Sequence, residues 1–186
     1  MVRPARFVGR PLHREERHQD QVMDLVLNHA PENYLCPFCL LIQGVEHPDV
    51  LSVPSDVVYH DRRVMAFVGS HQWPNNHGNV IIIPNKHFEN IYDLPTSYAV
   101  DIHRAAKQVA LAMKAIYSCD GVSTRQHNEP AGNQDVWHYH LHITPRYQGD
   151  RFYLTQRELM SASDRAQHAA RLREYLAGES VEAAPE

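Results

Sequence analysis

Residues 136–144 read Val136-Trp137-His138-Tyr139-His140-Leu141-His142-Ile143-Thr144. The alternation is strict, and in an extended strand alternate side chains point to opposite faces. The pattern predicts a strand over 136–144 with Trp137, Tyr139, Leu141 and Ile143 turned into a core. His138, His140, His142 and Thr144 then share the other face, with successive imidazoles roughly 7 Å apart. Three imidazoles are costly to bury without partners. A solvated polar face, a metal site built on one strand and nucleophilic catalysis by imidazole all suit such a row. The flanks point to the last. The turn His127–Asp135 is rich in amides and backbone donors that can meet an anion, and Pro145-Arg146 ends the strand with a cation. A donor loop, three imidazoles and an arginine suit phosphoryl or nucleotidyl transfer.

Working outward, Val57–Tyr59 and Val64–Val68 read as strands around the turn His60–Arg63, and Asn79–Ile83 as a buried strand stopped by Pro84. Residues 69–78 have loop chemistry throughout, and 122–128 read as a further strand. Residues 93–118 carry apolar side chains at helical spacing (Val100, Ala106, Val109, Met113), with Thr96 or Ser97 as cap and His103 on the apolar stripe as a core histidine. A second long helix is expected over 156–177, broken near Ser161–Asp164. Cys36-Pro37-Phe38-Cys39 reads as a tight turn, 19–29 as a short amphipathic helix, 1–20 as a flexible arm and 178–186 as a disordered acidic tail. The expected fold is α+β: one domain over 21–177, with antiparallel strands and two long helices.

Composition bounds the function. The 186 residues hold 18 Lys+Arg against 22 Asp+Glu, a net charge of −4. That argues against stable nucleic-acid binding or an anionic-membrane surface, but not against a phosphorylated small molecule. Three cysteines are too few for a disulfide scaffold. The longest apolar run considered, Val80–Ile83, is far short of a membrane span. A cytoplasmic location is the expectation, since the N-terminus lacks the apolar core of a signal peptide.

The stretch His138-Tyr139-His140-Leu141-His142-Ile143-Thr144 resembles the signature of the histidine triad (HIT) superfamily, in which histidine and hydrophobic residues alternate. Asn128, Gly132 and Gln134 precede it, and Pro145-Arg146 follow it, as in that family. Upstream, Gly78-Asn79-Val80-Ile81-Ile82-Ile83-Pro84-Asn85-Lys86-His87 resembles the family's strand that ends in Pro-x-x-His. Met65–Val68 resembles the strand before it. The resemblance covers roughly 34–150.

It implies a HIT-like fold, commonly homodimeric, and attack by the middle histidine, His140, on the α-phosphorus of a nucleotide derivative. A covalent nucleotidyl-histidine forms and is cleaved by water or another acceptor. His142 would contact phosphate or orient its neighbours, and Asn128 and Gln134 would help hold the site and phosphate. Family substrates are nucleoside phosphoramidates, dinucleoside polyphosphates and nucleotide sugars.

Cys36-x-x-Cys39 alone admits a redox pair, two core residues or a metal knuckle. The chain is similar to the zinc-containing branch of the superfamily, which includes the galactose-1-phosphate uridylyltransferases. That likeness implies a structural Zn held by Cys36, Cys39, His87 and His138.

Three positions depart from the family pattern. Asn79 stands where many members carry histidine, although an amide still donates to phosphate. No acid lies between Arg63 and Glu89, where many members hold the ribose hydroxyls with aspartate. Asp135 replaces a Ser or Thr that contacts the leaving group; a carboxylate there pairs with a histidine, or donates if protonated. Trp73 either packs or stacks a base or sugar. The leading expectation is hydrolysis of a nucleoside phosphoramidate or dinucleoside polyphosphate. The alternatives are a zinc-stabilised nucleotide-binding protein without turnover, a uridylyltransferase-type transferase, and a metal hydrolase with the triad as ligands. The last lacks an accompanying Asp/Glu ligand set.

Overall fold

The structure is a computed structural model that describes residues 27–48 and 50–182, with backbone alone for 179–182. The expected arm over 1–20, most of the expected helix over 19–29 and the end of the tail lie outside these residues. Five strands form one antiparallel sheet: β1 (Val57–His60), β2 (Val64–Val68), β4 (Val80–Pro84), β5 (Gly121–Gln126) and β6 (Leu141–Arg146), in spatial order β1-β2-β4-β6-β5. A two-stranded ribbon pairs β3 (His71–Gln72) with β7 (Glu158–Leu159). The helices are α1 (Pro37–Gln43), α2 (Thr96–Tyr117) and α3 (Ala162–Glu182). No described helix is long and apolar enough to cross a membrane.

Strand alternation splits the apolar residues into two clusters. Val64, Ala66, Val68, Val80, Ile82, Leu141 and Ile143 face α2 and α3, where Ile102, Ala105, Val109, Met113, Ala169 and Leu172 complete the main core. Met65, Phe67, Ile81 and Ile83 face the opposite way, against Cys36, Phe38 and Leu41 of α1 and its cap. His142 and Thr144 belong to this second face by the same alternation.

Several expectations are corrected. The strand expected over 136–144 begins only at Leu141. Pro84, opposite the missing part, has no N–H with which to extend the ladder. The Tyr139 N–H instead donates to the Phe88 carbonyl at 2.6 Å, and Trp137 lies half-buried beside the His29 ring rather than in the core. The tight turn at Cys36–Cys39 is the start of α1: Pro37 takes the first helical position, Cys36 is the N-cap, and Gly44 closes the helix in the left-handed region at φ 68°. On α2 the cap is Pro95, while Ser97 accepts a hydrogen bond from Arg63. His103 and Val100 are exposed, and the buried stripe runs through Ile102, Ala105 and Val109. α3 begins after Ser161, whose hydroxyl accepts from the Asp164 N–H, and it continues past Gly178 to Glu182. One glycine costs about 1 kcal/mol in a helix and does not by itself end one.

One buried ion pair fastens α3 to the wall of the site. Arg165 Nε donates to Asp56 Oδ2 at 3.0 Å, Nη1 to the Met160 carbonyl and Nη2 to the Leu51 carbonyl. Both side chains are buried, and Asp56 Oδ1 has no partner. Removing the cation strands a buried carboxylate, so Arg165→Met is expected to lower unfolding free energy by about 3–5 kcal/mol. Urea denaturation measures it, and a loss below about 1 kcal/mol would contradict the assignment.

Candidate functional site

The three histidines are buried, with relative exposures of 0% (His138), 2% (His140) and 8% (His142), so a solvated face is excluded. His138 sits among the cysteines. Its Nδ1 lies 3.4 Å from Cys36 Sγ and 3.6 Å from Cys39 Sγ, and His87 Nδ1 lies 3.3 Å from Cys39 Sγ. The four ligand atoms all lie within 4.8 Å of one another. For Zn–S and Zn–N bonds of usual length, a tetrahedral sulfur–nitrogen edge is about 3.6 Å. The donor set and its spacing therefore fit a closed tetrahedral dication site. His138 Nε2 donates to the Pro84 carbonyl at 3.0 Å, which leaves the Nδ1 lone pair facing the sulfurs. The Cys39 S–H hydrogen bond holds the Cys36 thiol far below its ordinary range; burial opposes this, and the His138 and His87 rings reinforce it.

The backbone of His138 also sets the next ring. His140 Nδ1 donates to the His138 carbonyl at 2.7 Å, which fixes the tautomer with its lone pair on Nε2. That nitrogen lies 4.0 Å from Asp135 Oδ1, on the side of a cleft of about 240 Å³. The ring lines the cleft, with Phe38 at 5.6 Å in a T-shaped contact. Burial lowers the His140 pKa and holds that of His142 well below the usual value, so both rings are neutral near pH 7.

His142 has the opposite tautomer. The Thr144 hydroxyl donates to Asn79 Oδ1 at 2.9 Å, which turns the Asn79 amide nitrogen toward His142 Nδ1 at 3.5 Å. With Nδ1 accepting, Nε2 carries the proton and is a hydrogen-bond donor. Asn79 is itself clamped by Gln72, whose Oε1 accepts from the Gly78 and Asn79 N–H groups while Nε2 donates to the Gly69 and Asn79 carbonyls. Asn79→Leu is therefore expected to lower kcat by about 100-fold, the usual cost of one lost oxyanion donor, and to lower stability by about 1–3 kcal/mol because the buried Thr144 hydroxyl loses its acceptor. A kcat within threefold of the parent would disprove this role.

The structure separates the remaining sequence-based candidates. Asp135 lines the cleft and is ion-paired with Arg157. Burial pushes the Asp135 carboxyl up, but the hydrogen bond and charge of Arg157 outweigh it and hold the group ionised, with His140 and His142 adding to the pull. Asn128 and Gln134 do not face the cleft. Asn128 Oδ1 accepts from the Ile91 N–H, and Gln134 donates to the Glu89 and Val136 carbonyls while accepting from the Glu129 N–H. Their amides hold the loops around the site.

Trp73 takes the packing role considered for it. Its ring packs on Phe152 at 4.4 Å and also borders the cleft. Arg157, Ser70, His71, Phe38 and Leu51 line the cleft as well, and sequence reasoning did not single them out. Arg157 reaches the site because the two-residue ribbon β3–β7 places it there, and so short a ribbon carries no periodic signal.

Comparisons with known proteins agree with this geometry. The family profile for the HIT domain matches residues 50–149. The chain is 35% identical over 125 residues to "Protein hit" of Bacillus subtilis, covering 67% of this chain and 79% of that one. It is 29% identical over 111 residues to the adenosine 5'-monophosphoramidase HNT1 of Saccharomyces cerevisiae, covering 60% and 62%. Its fold matches that of a Zn-bound histidine triad family protein from Mycobacterium smegmatis with TM-score 0.65 at 24% identity, covering 79% and 96%. With more than half its length inside the family profile, and with the triad standing where the cleft requires it, the chain belongs to the HIT domain family.

Proposed function

We propose that this protein is a nucleotide hydrolase or nucleotidyl transferase that works through a covalent nucleotidyl-His140, with a nucleoside phosphoramidate or a dinucleoside polyphosphate as substrate. The observation that carries the reading is the pair of opposite tautomers in one cleft. His140 Nε2 offers a lone pair, and His142 Nε2 offers a proton donor.

In the first step the Nε2 lone pair of His140 bonds to the α-phosphorus, and the bond from phosphorus to the leaving group breaks. The leaving group takes that electron pair: an anhydride oxygen departs as an anion, and a phosphoramidate nitrogen takes up a proton from solvent and departs as the amine. Nδ1–H stays on the His138 carbonyl and shares the positive charge that the ring acquires. His142 Nε2–H donates to a non-bridging oxygen of the phosphoryl group. In the second step a water oxygen attacks phosphorus, the P–N bond breaks with its pair returning to Nε2, and the water's proton passes to solvent. Splitting one displacement into two is the general gain of covalent catalysis.

Cys36, Cys39, His87 and His138 would hold a structural zinc that supplies no reacting group. Bound there, it would fix the chain at His138, whose carbonyl accepts from the nucleophile's Nδ1–H. The nearby relative that hydrolyses an adenosine phosphoramidate supports this class of reaction.

The test is intact-mass spectrometry on protein quenched during turnover of adenosine 5'-phosphoramidate or diadenosine triphosphate. An adenylyl adduct that maps to His140 is expected. Turnover of either substrate with no adduct in the parent protein, under quenching that preserves phosphohistidine, would rule the covalent route out.

A further inference from the structure

A second cavity of about 240 Å³ adjoins the cleft on the far side of His142 and shares Trp73, Asp135, His142 and Arg157 with it. Its remaining walls are Arg125, His127 and Asn133. The sheet explains the contrast between the two cavities. Across the strands, His142 is paired with Ile81 of β4 on one side and with Arg125 of β5 on the other, and Ile81 is paired with Phe67 of β2. Directly opposed residues share a face of the sheet, with Cβ atoms about 5 Å apart. The row therefore reads Phe67, Ile81, His142, Arg125: apolar up to the hydrogen-bond-donating ring, cationic beyond it.

The charges in this second cavity are unequal. Arg157 is matched by Asp135. Arg125 has no carboxylate partner among the described residues; its guanidinium lies 5.5 Å from the centre of the Phe152 ring and 5.7 Å from that of Tyr153. Two cations against one anion leave the cavity with one positive charge in excess. His127 donates from Nδ1 to the Gly132 carbonyl at 2.6 Å.

We infer that this second cavity is the leaving-group site, and that Arg125 makes the enzyme prefer a leaving group that is itself a phosphate or polyphosphate. The inference rests on the reaction proposed above. An anhydride leaving group departs as an anion: the bridge bond from the α-phosphorus breaks, its electron pair stays on the bridging oxygen, and no proton is needed. What such a group requires is a cation at the place where charge develops, and Arg125 provides one beside His142. An amine leaving group requires a proton instead. The one carboxyl in this wall, Asp135, is held ionised by Arg157 and has none to give.

Two substrates with a common nucleoside separate these cases: diadenosine triphosphate, which releases ADP, and adenosine 5'-phosphoramidate, which releases ammonia. For the parent, kcat/KM is expected to favour the triphosphate. In Arg125→Leu the ratio of the two kcat/KM values should fall roughly tenfold or more, as for loss of one charge-assisted contact, and Arg125→Lys should restore part of it. Equal losses on both substrates, or an unchanged ratio, would overturn the inference. Calorimetry with inorganic pyrophosphate provides a readout apart from turnover. Binding to the parent that weakens about tenfold in Arg125→Leu supports the site, and equal binding overturns it. If the parent turns over neither substrate, the proposed reaction fails, while the pyrophosphate titration still decides the fate of the cavity.

Discussion

His140→Asn should reduce kcat by at least about 10⁴-fold on any substrate the parent accepts, the scale seen when a covalent nucleophile is removed. The amide of asparagine still donates to the His138 carbonyl in place of Nδ1, so the local backbone keeps its partner. It offers no basic nitrogen to phosphorus. Nearly all of the imidazole is already covered by protein, and the smaller side chain leaves only a modest void beside Phe38. The melting temperature should therefore change by no more than a few degrees. The matching replacement, His142→Asn, removes a donor rather than the nucleophile. It should cost about 10²–10³-fold and leave the adduct on His140 detectable. Steady-state rates on both variants, with adduct mapping, discriminate the two roles. Full activity in His140→Asn would refute the mechanism outright.

Loss of the cysteine–histidine site should have the largest effect on stability. The purified protein is expected to carry one zinc per chain by elemental analysis, and Cys36→Ser to carry none. Free energy from a structural zinc site is folding free energy, because the unfolded chain holds no such site. Even if only about 5 kcal/mol of it is lost, a chain of this length should melt about 10–20 °C lower. The site joins four residues spread from 36 to 138 in the sequence, tying the start of α1 and the loop after β4 to the segment that leads into β6. His138 would lose its anchor at Nδ1 and keep only the Pro84 carbonyl at Nε2. Catalysis should fall too, since the His138 carbonyl orients His140. A zinc-free parent protein, with Cys36→Ser melting at the same temperature, would sink this part of the account.

Much of this was legible in the sequence because it rests on periodicity. β2 and β4 follow from short apolar runs, buried throughout, and the β6 core residues Leu141 and Ile143 follow from alternation, as does the placement of His142 and Thr144 on one face. The reach of that argument ended at His140. Nothing in the alternation of 136–140 shows that Pro84 denies the ladder a donor, or that the His138 ring is drawn toward two thiols 99 and 102 residues away in the chain. α1 was read as a turn because a seven-residue helix gives few turns of pattern, although Pro37 at its first position was the available signal. Asn128 and Gln134 carry the right chemistry for phosphate, but the Asn128 amide is taken up by the Ile91 N–H and the Gln126 side chain, and that of Gln134 by backbone groups. Arg157 and Arg125 were missed for a similar reason. One arrives on a ribbon of two residues per strand, and the other differs from its strand neighbours only by standing opposite His142.

The sheet keeps its two sides apart. Residues such as Val80, Ile82, Leu141 and Ile143 serve the helices, and their alternates Ile81, His142 and Arg125 serve the cleft. A lineage could therefore exchange what borders the reacting phosphate, one alternate position at a time, without disturbing the packing that keeps the molecule folded. Diversification of specificity and preservation of architecture are inherited on interleaved letters of the same strands.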